Sequence, residues 1–569
     1  MHTRIARSFR LLCIAAVLML AALFAAGCGG GGSDFLGSTP PATKDTGAVT
    51  VSIQWPERAI PTNTDRIIVT IAGDHMAPAG EEIYYGETGQ VTLYALVGPK
   101  TVTAWCFDDD NPDYGFYPVL VGKGENTVDV QAGTTGTVTI TVQPLSGADL
   151  DMAQGLSILS AIYAEEESMD PVVLQEARDH FADALAADSS HPEANLGWAI
   201  CDAALLSGEI EQNASVQAAI EYFEFGPIES PPELSRSTEP ASLFSSLVIW
   251  NVKDSILTGS DPLNVLVPNI ASFAALGTGL GCEGLFEPLT RGTAADLVDA
   301  QTYIRNTVLP RLDGITDALA SAEADSSLAL LVGMYLEAGS VQRVGPDPFY
   351  DMIVLDQGDA FLMDGAVRGI KCLMYVLTAY SLEFGDFDPT LDMIAYDDPR
   401  GNANDIVERS EYLPADPGLT LLAGGAAAMA DAGDEAVAAC DKLLAGIQAT
   451  LVETYDYLDV VPWHSYWWSD VGGPELMAAR SAVYTVRDML TGTERYAFDY
   501  GASSYSVQVA LGAWFNNPPA DLKYFAPQFV VVGDPGFEYC ELQPGSFRDL
   551  TFGGLFPGGL PQELLEGSQ

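Results

Sequence analysis

The chain has 569 residues, 48% of them hydrophobic and 9% aromatic, and it sets 78 Asp and Glu against 25 Lys and Arg for a formal net charge of −53. This apolar content excludes a disordered chain and supports a sizeable core, and the length points to roughly three or four domains. So acidic a surface repels nucleic acid and anionic lipid headgroups, which excludes nucleic acid as a partner and favours solubility and cationic partners.

The chain opens on Arg4, Arg7 and Arg10, runs unbroken and apolar over 11–24, and ends this stretch in Ala25-Ala26-Gly27-Cys28 before four glycines. A basic start, a short apolar run and small residues at its end mark a secretory signal and not a membrane-spanning helix. Cys28 at the close of the small-residue site resembles the bacterial lipobox, in which the cysteine is diacylated and becomes the mature N-terminus. The resemblance implies a lipoprotein signal peptide over 1–27, lipidation at Cys28, and a protein held to the membrane of a bacterial cell envelope on its periplasmic or extracellular side. Residues 28–46, rich in Gly, Ser, Thr and Pro, read as a flexible tether.

Period-two alternation follows. Val49, Val51, Ile53 and Trp55 fall on one face, and further short strands are expected over 67–71, 91–96, 101–105, 119–121, 127–130 and 137–142. Glycines at 122, 124 and 133 read as turns. Seven strands in about 100 residues predict a small all-β sandwich over 47–145. The stretches GPKTVTAWCFD and VDVQAGTTGTVTITV resemble immunoglobulin-like and carboxypeptidase-regulatory-like modules of bacterial surface proteins, which implies a spacer or adhesion role.

From residue 146 the period becomes helical, predicting a large all-α domain over 146–545 built of helical hairpins, followed by a Gly/Pro-rich tail over 546–569. In 171–185, Leu174, Ala177, Phe181, Ala184 and Leu185 form one stripe behind Asp170 as N-cap and Pro171 at the first helical position. Ala177, Phe181 and Ala184, with the LGWA of 196–199, resemble a tetratricopeptide repeat over about 171–206, and the resemblance implies a repeat-like start to the helical region. Further helices are expected at 216–223, 243–257, 294–322, 356–382, 419–432, 434–458 and 474–490. The helix from 356 is apolar almost all round and is expected at the centre of the domain. The segments 419–432 and 434–458, parted by Gly433, read as a helical hairpin.

No cysteine pair has metal or redox spacing, and Cys201, Cys372 and Cys440 read as buried thiols. Asp356 and Asp359 read as a capping pair at a helix start rather than an acid/base couple. Asp109, Asn111 and Asp113 offer alternate oxygen ligands in an acidic turn, making calcium the one cofactor class in view, although the loop lacks the glycine and closing Glu of an EF-hand; 397–405 is a second acidic loop of the same kind. Trp463, His464, Tyr466, Trp467 and Trp468 concentrate aromatics that serve a core or stack a sugar ring, with Asp470 nearby. The glycine-rich 276–282 departs from a dinucleotide-binding fingerprint at Cys282. No residue is assigned to catalysis. The sequence therefore predicts a lipid-anchored envelope protein whose helical region binds a protein or glycan partner. The alternative is a carbohydrate-active or glycan-binding protein with an α/α-barrel-like domain.

Overall fold

A computed structural model describes residues 46–55, 64–74, 76–84, 89–108, 118–164, 170–216, 294–335, 350–383, 406–407, 415–455, 473–500, 503–525, 529–532, 539–542 and 545–561. A β-rich N-terminal region is followed by a predominantly helical one. The signal, Cys28, the tether up to residue 45 and the helix expected at 243–257 lie outside the described residues, as does most of that expected at 216–223; Thr46, expected as the last tether residue, opens the first strand.

The N-terminal strands are β1 (Thr46–Gln54), β2 (Arg66–Gly73), β3 (Met76–Tyr84), β4 (Gln90–Leu96), β5 (Gly98–Asp108), β6 (Val119–Val130), β7 (Thr135–Thr141) and β8 (Gln143–Pro144). They form a three-stranded sheet in the order β4-β1-β7 and a five-stranded sheet in the order β3-β2-β5-β6-β8. β1 runs antiparallel to β4 and parallel to β7, from Ala48 opposite Thr135 to Gln54 opposite Thr141. Val49 and Val51 of β1, Ile67, Val69 and Ile71 of β2, and Ile140 of β7 meet in one apolar core between the two sheets. Two expectations need correction. β3 was not foreseen, because MAPAGEEIY lacks apolar alternation. β6 is one strand and not two short ones parted by glycine turns: β7 passes so close that a Cβ on Gly124 would lie 2.7 Å from the Thr141 carbonyl oxygen.

Half-solvated strands alternate, but β2 is buried at every position. Its second face is covered by helices. Ile68, Trp105, Phe107 and Leu120 join Met152, Leu156, Leu159 and Phe181 in the largest apolar cluster of the described residues. The five-stranded sheet is therefore a middle layer, and the boundary expected at 145/146 crosses a shared core. Within it, the Trp105 indole N–H donates to Thr70 Oγ1 at 3.1 Å.

Three helices cover the sheet: α1 (Ala148–Ala164), α2 (Pro171–Ala187) and α3 (Pro192–Gln212). Asp170 caps α2 by accepting from Val172 N, and of the predicted stripe Leu174, Ala177, Phe181 and Ala184 are buried while Leu185 is half-buried. Phe181 fits between two glycines: a Cβ on Gly197 of α3 would stand 2.4 Å from its ring, and one on Gly155 of α1 3.1 Å.

The helix expected at 294–322 is α4 (Ala294–Tyr303) and α5 (Leu309–Glu323), joined by a π-turn at Ile304–Val308. Pro310 lacks an N–H, and the i→i+5 bond from Leu309 N to Ile304 O resets the ladder just before it. Next come β9 (Ala329–Tyr335) and β10 (Tyr350–Asp356), an antiparallel pair, and α6 (Gln357–Ala379). α6 contributes Ala360, Val367 and Ile370 to the first core and Leu362, Cys372 and Ala379 to another, so it is central as expected.

The hairpin expected around Gly433 is instead a single helix, α7 (Gly425–Tyr455). A mid-helix glycine destabilises by only about 1 kcal/mol relative to Ala, and here it serves packing: a Cβ on Gly433 would come within 2.9 Å of Phe515 Cβ. The chain continues through α8 (Gly473–Thr491) and α9 (Leu511–Asn516). Strands also occur here, so this region is not all-α. β9 pairs with β10, β12 (Glu494–Tyr500) with β13 (Ser503–Val509), and β14 (Phe529–Val532) lies between β11 (Ile406–Val407) and β15 (Tyr539–Leu542). An apolar run such as ALLVGMY in β9 cannot be told from a buried helix by periodicity.

The described part of the Gly/Pro-rich tail, 546–561, is a loop, as expected, and it is tied down. Asp549 accepts from Thr551 N at 2.8 Å and Gly553 N at 3.0 Å, Phe552 stacks on Phe525 at 5.7 Å, and Ala510 N donates to Leu555 O.

Gly197→Ala should lower the unfolding free energy by about 1–2 kcal/mol, since overpacking against Phe181 outweighs the gain in helix propensity. Phe181→Leu in the same chain should make the added methyl less damaging. Urea titrations of the four proteins form the cycle, and independent effects of the two substitutions would contradict the contact.

Candidate functional site

The residues singled out in the sequence for lipidation, glycan stacking or calcium all lie outside the described residues: Cys28, Trp463, His464, Tyr466, Trp467, Trp468, Asp109, Asn111 and Asp113. The same holds for Asp470 and the segments 276–282 and 397–405. Asp356 and Asp359 are described, and they cap. Asp356 Oδ1 accepts from Gly358 N at 2.7 Å and Asp359 N at 3.1 Å, while Asp356 N donates to Asp359 Oδ2 at 3.2 Å. This reciprocal capping box satisfies the orphan donors at the start of α6. Cys106, Cys201, Cys372 and Cys440 are buried free thiols. Burial pushes Cys106, Cys372 and Cys440 up to about 12 and raises Cys201 as well, so all four stay protonated.

The concentrations of chemistry among the described residues are three inner charge clusters. The first joins the middle sheet to the helices. Lys123 of β6 stands 3.5 Å from both Asp149 of α1 and Glu193 of α3, with its ammonium 4.6 Å from the Trp105 ring centroid. His191, the N-cap of α3, places Nε2 3.4 Å from Asp149 Oδ1 and Nδ1 3.2 Å from Glu193 Oε2. Burial alone would depress the imidazole, but hydrogen bonds to Asp149 and Glu193 outweigh it and raise His191 to about 9. Burial pushes Glu193 up, yet the Lys123 charge and the His191 bond prevail and hold it down at about 2. Neutral His191 would accept from Ala194 N at 3.4 Å through Nδ1. The protonated ring instead donates from Nδ1 to Glu193, and a pKa near 9 selects this arrangement at neutral pH.

The second cluster lies where α5, α6 and α7 meet. Asp364 is fully buried, with Oδ1 2.9 Å from Arg368 Nε and Oδ2 3.2 Å from Lys442 Nζ. Lys442 also pairs with Glu323, while Lys371 reaches Glu435 at 2.6 Å and Asp313 at 2.8 Å. Arg368 closes the set by donating to Glu435 at 2.9 Å. Burial dominates at Glu323 and raises it to about 7, against the pull of Lys442 and with a further push from the Asp364 charge. Glu323 thus keeps its proton up to near neutrality, beside the Asp364 carboxyl.

In the third, Asp202 of α3 is 2% exposed and lies between Arg178 of α2 at 2.6 Å and Arg311 of α5 at 2.8 Å; Arg178 also covers the Trp198 ring.

Each cluster ties together three elements, and apart from the closer Lys442–Glu323 pair, opposite charges face one another at 2.6–3.5 Å. Chemically, Glu323 is suited to proton exchange near neutrality, and its near neighbours are the Asp364 carboxyl and the Lys442 amine. None of these residues was singled out from the sequence. The available signal was the presence of Arg368 and Lys371 inside the apolar run AVRGIKCL, since a cation in a buried helix requires an acidic partner.

No helix among the described residues is long and apolar enough to cross a membrane, and no group of three or more His, Cys, Asp or Glu is arranged there to hold a metal ion. Neither a protein-family model, a curated protein nor a solved structure matches the chain.

Two pH windows follow from the signs. Glu323 is raised above its ordinary 4.5, so its contribution to stability is present below pH 4.5 and is lost as pH rises through 7. His191 is raised above 6.5, so its contribution is present below that value and is lost as pH rises through 9. The difference in unfolding free energy between parent and Glu323→Gln should vary only within about pH 4.5–7, at up to about 1.4 kcal/mol per pH unit. For His191→Gln the difference should vary within about pH 6.5–9. Denaturant titrations over pH 4–10 measure both, and differences constant with pH would refute the assignments.

Proposed function

We propose that this chain is a lipid-anchored protein of the bacterial cell envelope, facing the periplasm or the exterior, whose helical region binds a protein or glycan partner without catalysing a reaction. The observation that carries this reading is the N-terminal sequence: Arg4, Arg7 and Arg10, the apolar run over 11–24, and Ala25-Ala26-Gly27 immediately before Cys28. The two packed sheets support reading 47–145 as an immunoglobulin-like sandwich. The burial of Ala177, Phe181 and Ala184, with Phe181 packed on Gly197 of the following helix, supports a tetratricopeptide-like unit at about 171–206. Two findings favour binding over chemistry. Asp356, which an enzymatic reading would place in a cleft, is committed to capping α6, and the four described thiols are held in their unreactive protonated form.

Cys28→Ser should move the protein from the membrane fraction to the soluble fraction of its host and abolish palmitate labelling. Unchanged fractionation, or a parent protein that takes up no palmitate, would defeat the reading.

A further inference from the structure

The outward face of the three-stranded sheet differs from a surface that is otherwise rich in carboxylates. Along β7 it presents Thr135, Thr137, Thr139 and Thr141, all exposed. Along β4 it presents Gln90, Thr92 and Tyr94, and along β1 Ala48, Thr50, Ser52 and Gln54. No charged residue stands among them, in a chain whose net charge is −53. The hydroxyls engage one another across the strands: Thr50 Oγ1 lies 3.3 Å from Thr92 Oγ1, and Gln90 donates to Ser52 at 2.9 Å.

This face ends where the described chain enters at Thr46. Thr46 is opposite Leu96, and its carbonyl accepts from Gly133 N. The neighbouring turns are Val97-Gly98 and Gln131-Ala132-Gly133-Thr134, themselves uncharged, with Asp129 accepting from Gln131 Nε2 at 2.6 Å beside the second. Two of the large apolar side chains left exposed among the described residues are here, Tyr94 at 48% and Val97 at 42%.

We infer that this hydroxyl-lined face, with Tyr94 and Val97 at its end, is the surface that the protein turns toward the bilayer. The inference rests on lipidation at Cys28. From Cys28 to Thr46 the chain can span at most ~60 Å fully extended, and it joins the described body at Thr46, at this end of the sheet. An anionic leaflet repels the acidic surfaces over a Debye length of about 8–10 Å. The uncharged face approaches without that penalty. Tyrosine suits the headgroup layer, where one end of its ring is apolar and the other wet.

The test uses the full lipidated protein in vesicles of phosphatidylethanolamine and phosphatidylglycerol that carry a nitroxide on the headgroup. A fluorophore is placed through Thr137→Cys on the face or, as control, through Tyr484→Cys on α8, whose parent side chain is 49% exposed. Flotation with the vesicles reports anchoring. Quenching should be several-fold stronger at position 137 than at position 484, and Tyr94→Glu with Thr92→Glu should abolish the difference. Equal quenching in floating protein would overturn the inference and leave the lipid anchor intact, whereas protein that fails to float would overturn both. Shielding of position 137 from acrylamide that persists in detergent would also overturn it, by assigning the face to a second copy of the chain.

Discussion

The architecture depends on one sheet whose central strands have no solvated face. β2 is buried throughout, and β5 is buried over most of its length. Ile67, Val69 and Ile71 point into the core between the sheets, while Ile68, Trp105 and Phe107 point into the helices. An antiparallel sheet usually leaves one side to water. Here α1, α2 and α3 complete the β-region, and the β-region completes their apolar faces. Hydrophobic burial on both sides, at roughly 25 cal/mol per Å², gives neither layer a stable surface of its own.

Charge imbalance is the second constraint. With 25 Lys and Arg for 78 Asp and Glu, cations are scarce, and several of them face inward. Lys123, Arg178, Arg311, Arg368, Lys371 and Lys442 each contact an acidic group on another element. Removing one member of a buried pair strands the other in a poorly solvating medium, which is far worse than losing an exposed pair. The cations therefore fix which helices adjoin, while excess carboxylates occupy the outside. Protonation of Glu323 fits the same pattern, because it relieves one charge where carboxylates and cations do not balance locally.

Local patterns in the sequence were legible where period and capping agreed. The stripe of α2 behind Asp170, the central position of α6 behind Asp356, and the alternation of β1 and β7 were all readable. The failures share a cause: the deciding contact came from far along the chain. Gly433 looks like a break until Phe515 is seen packed against it, and Gly124 looks like a turn until the Thr141 carbonyl passes beside it. β9 is an apolar run of no fixed period whose partner, β10, begins at Tyr350. The charge clusters were hidden for the same reason, since Lys123 and Glu193, or Asp202 and Arg311, are paired only after folding. The residues chosen from sequence for lipidation, stacking and calcium fall outside the described structure, and their reading remains that of the sequence.

The parallel pairing of β1 with β7 has a mechanical consequence. Tension drawn between the start of β1 at Thr46 and the departure of the chain beyond Thr141 pulls the two strands along their lengths in opposite directions. The paired residues from Ala48 and Thr135 to Gln54 and Thr141 then bear the load together, in shear, instead of parting one after another as in an unzipped hairpin. A body suspended from that end of its chain would yield late and all at once, with β1 acting as a latch on the whole fold.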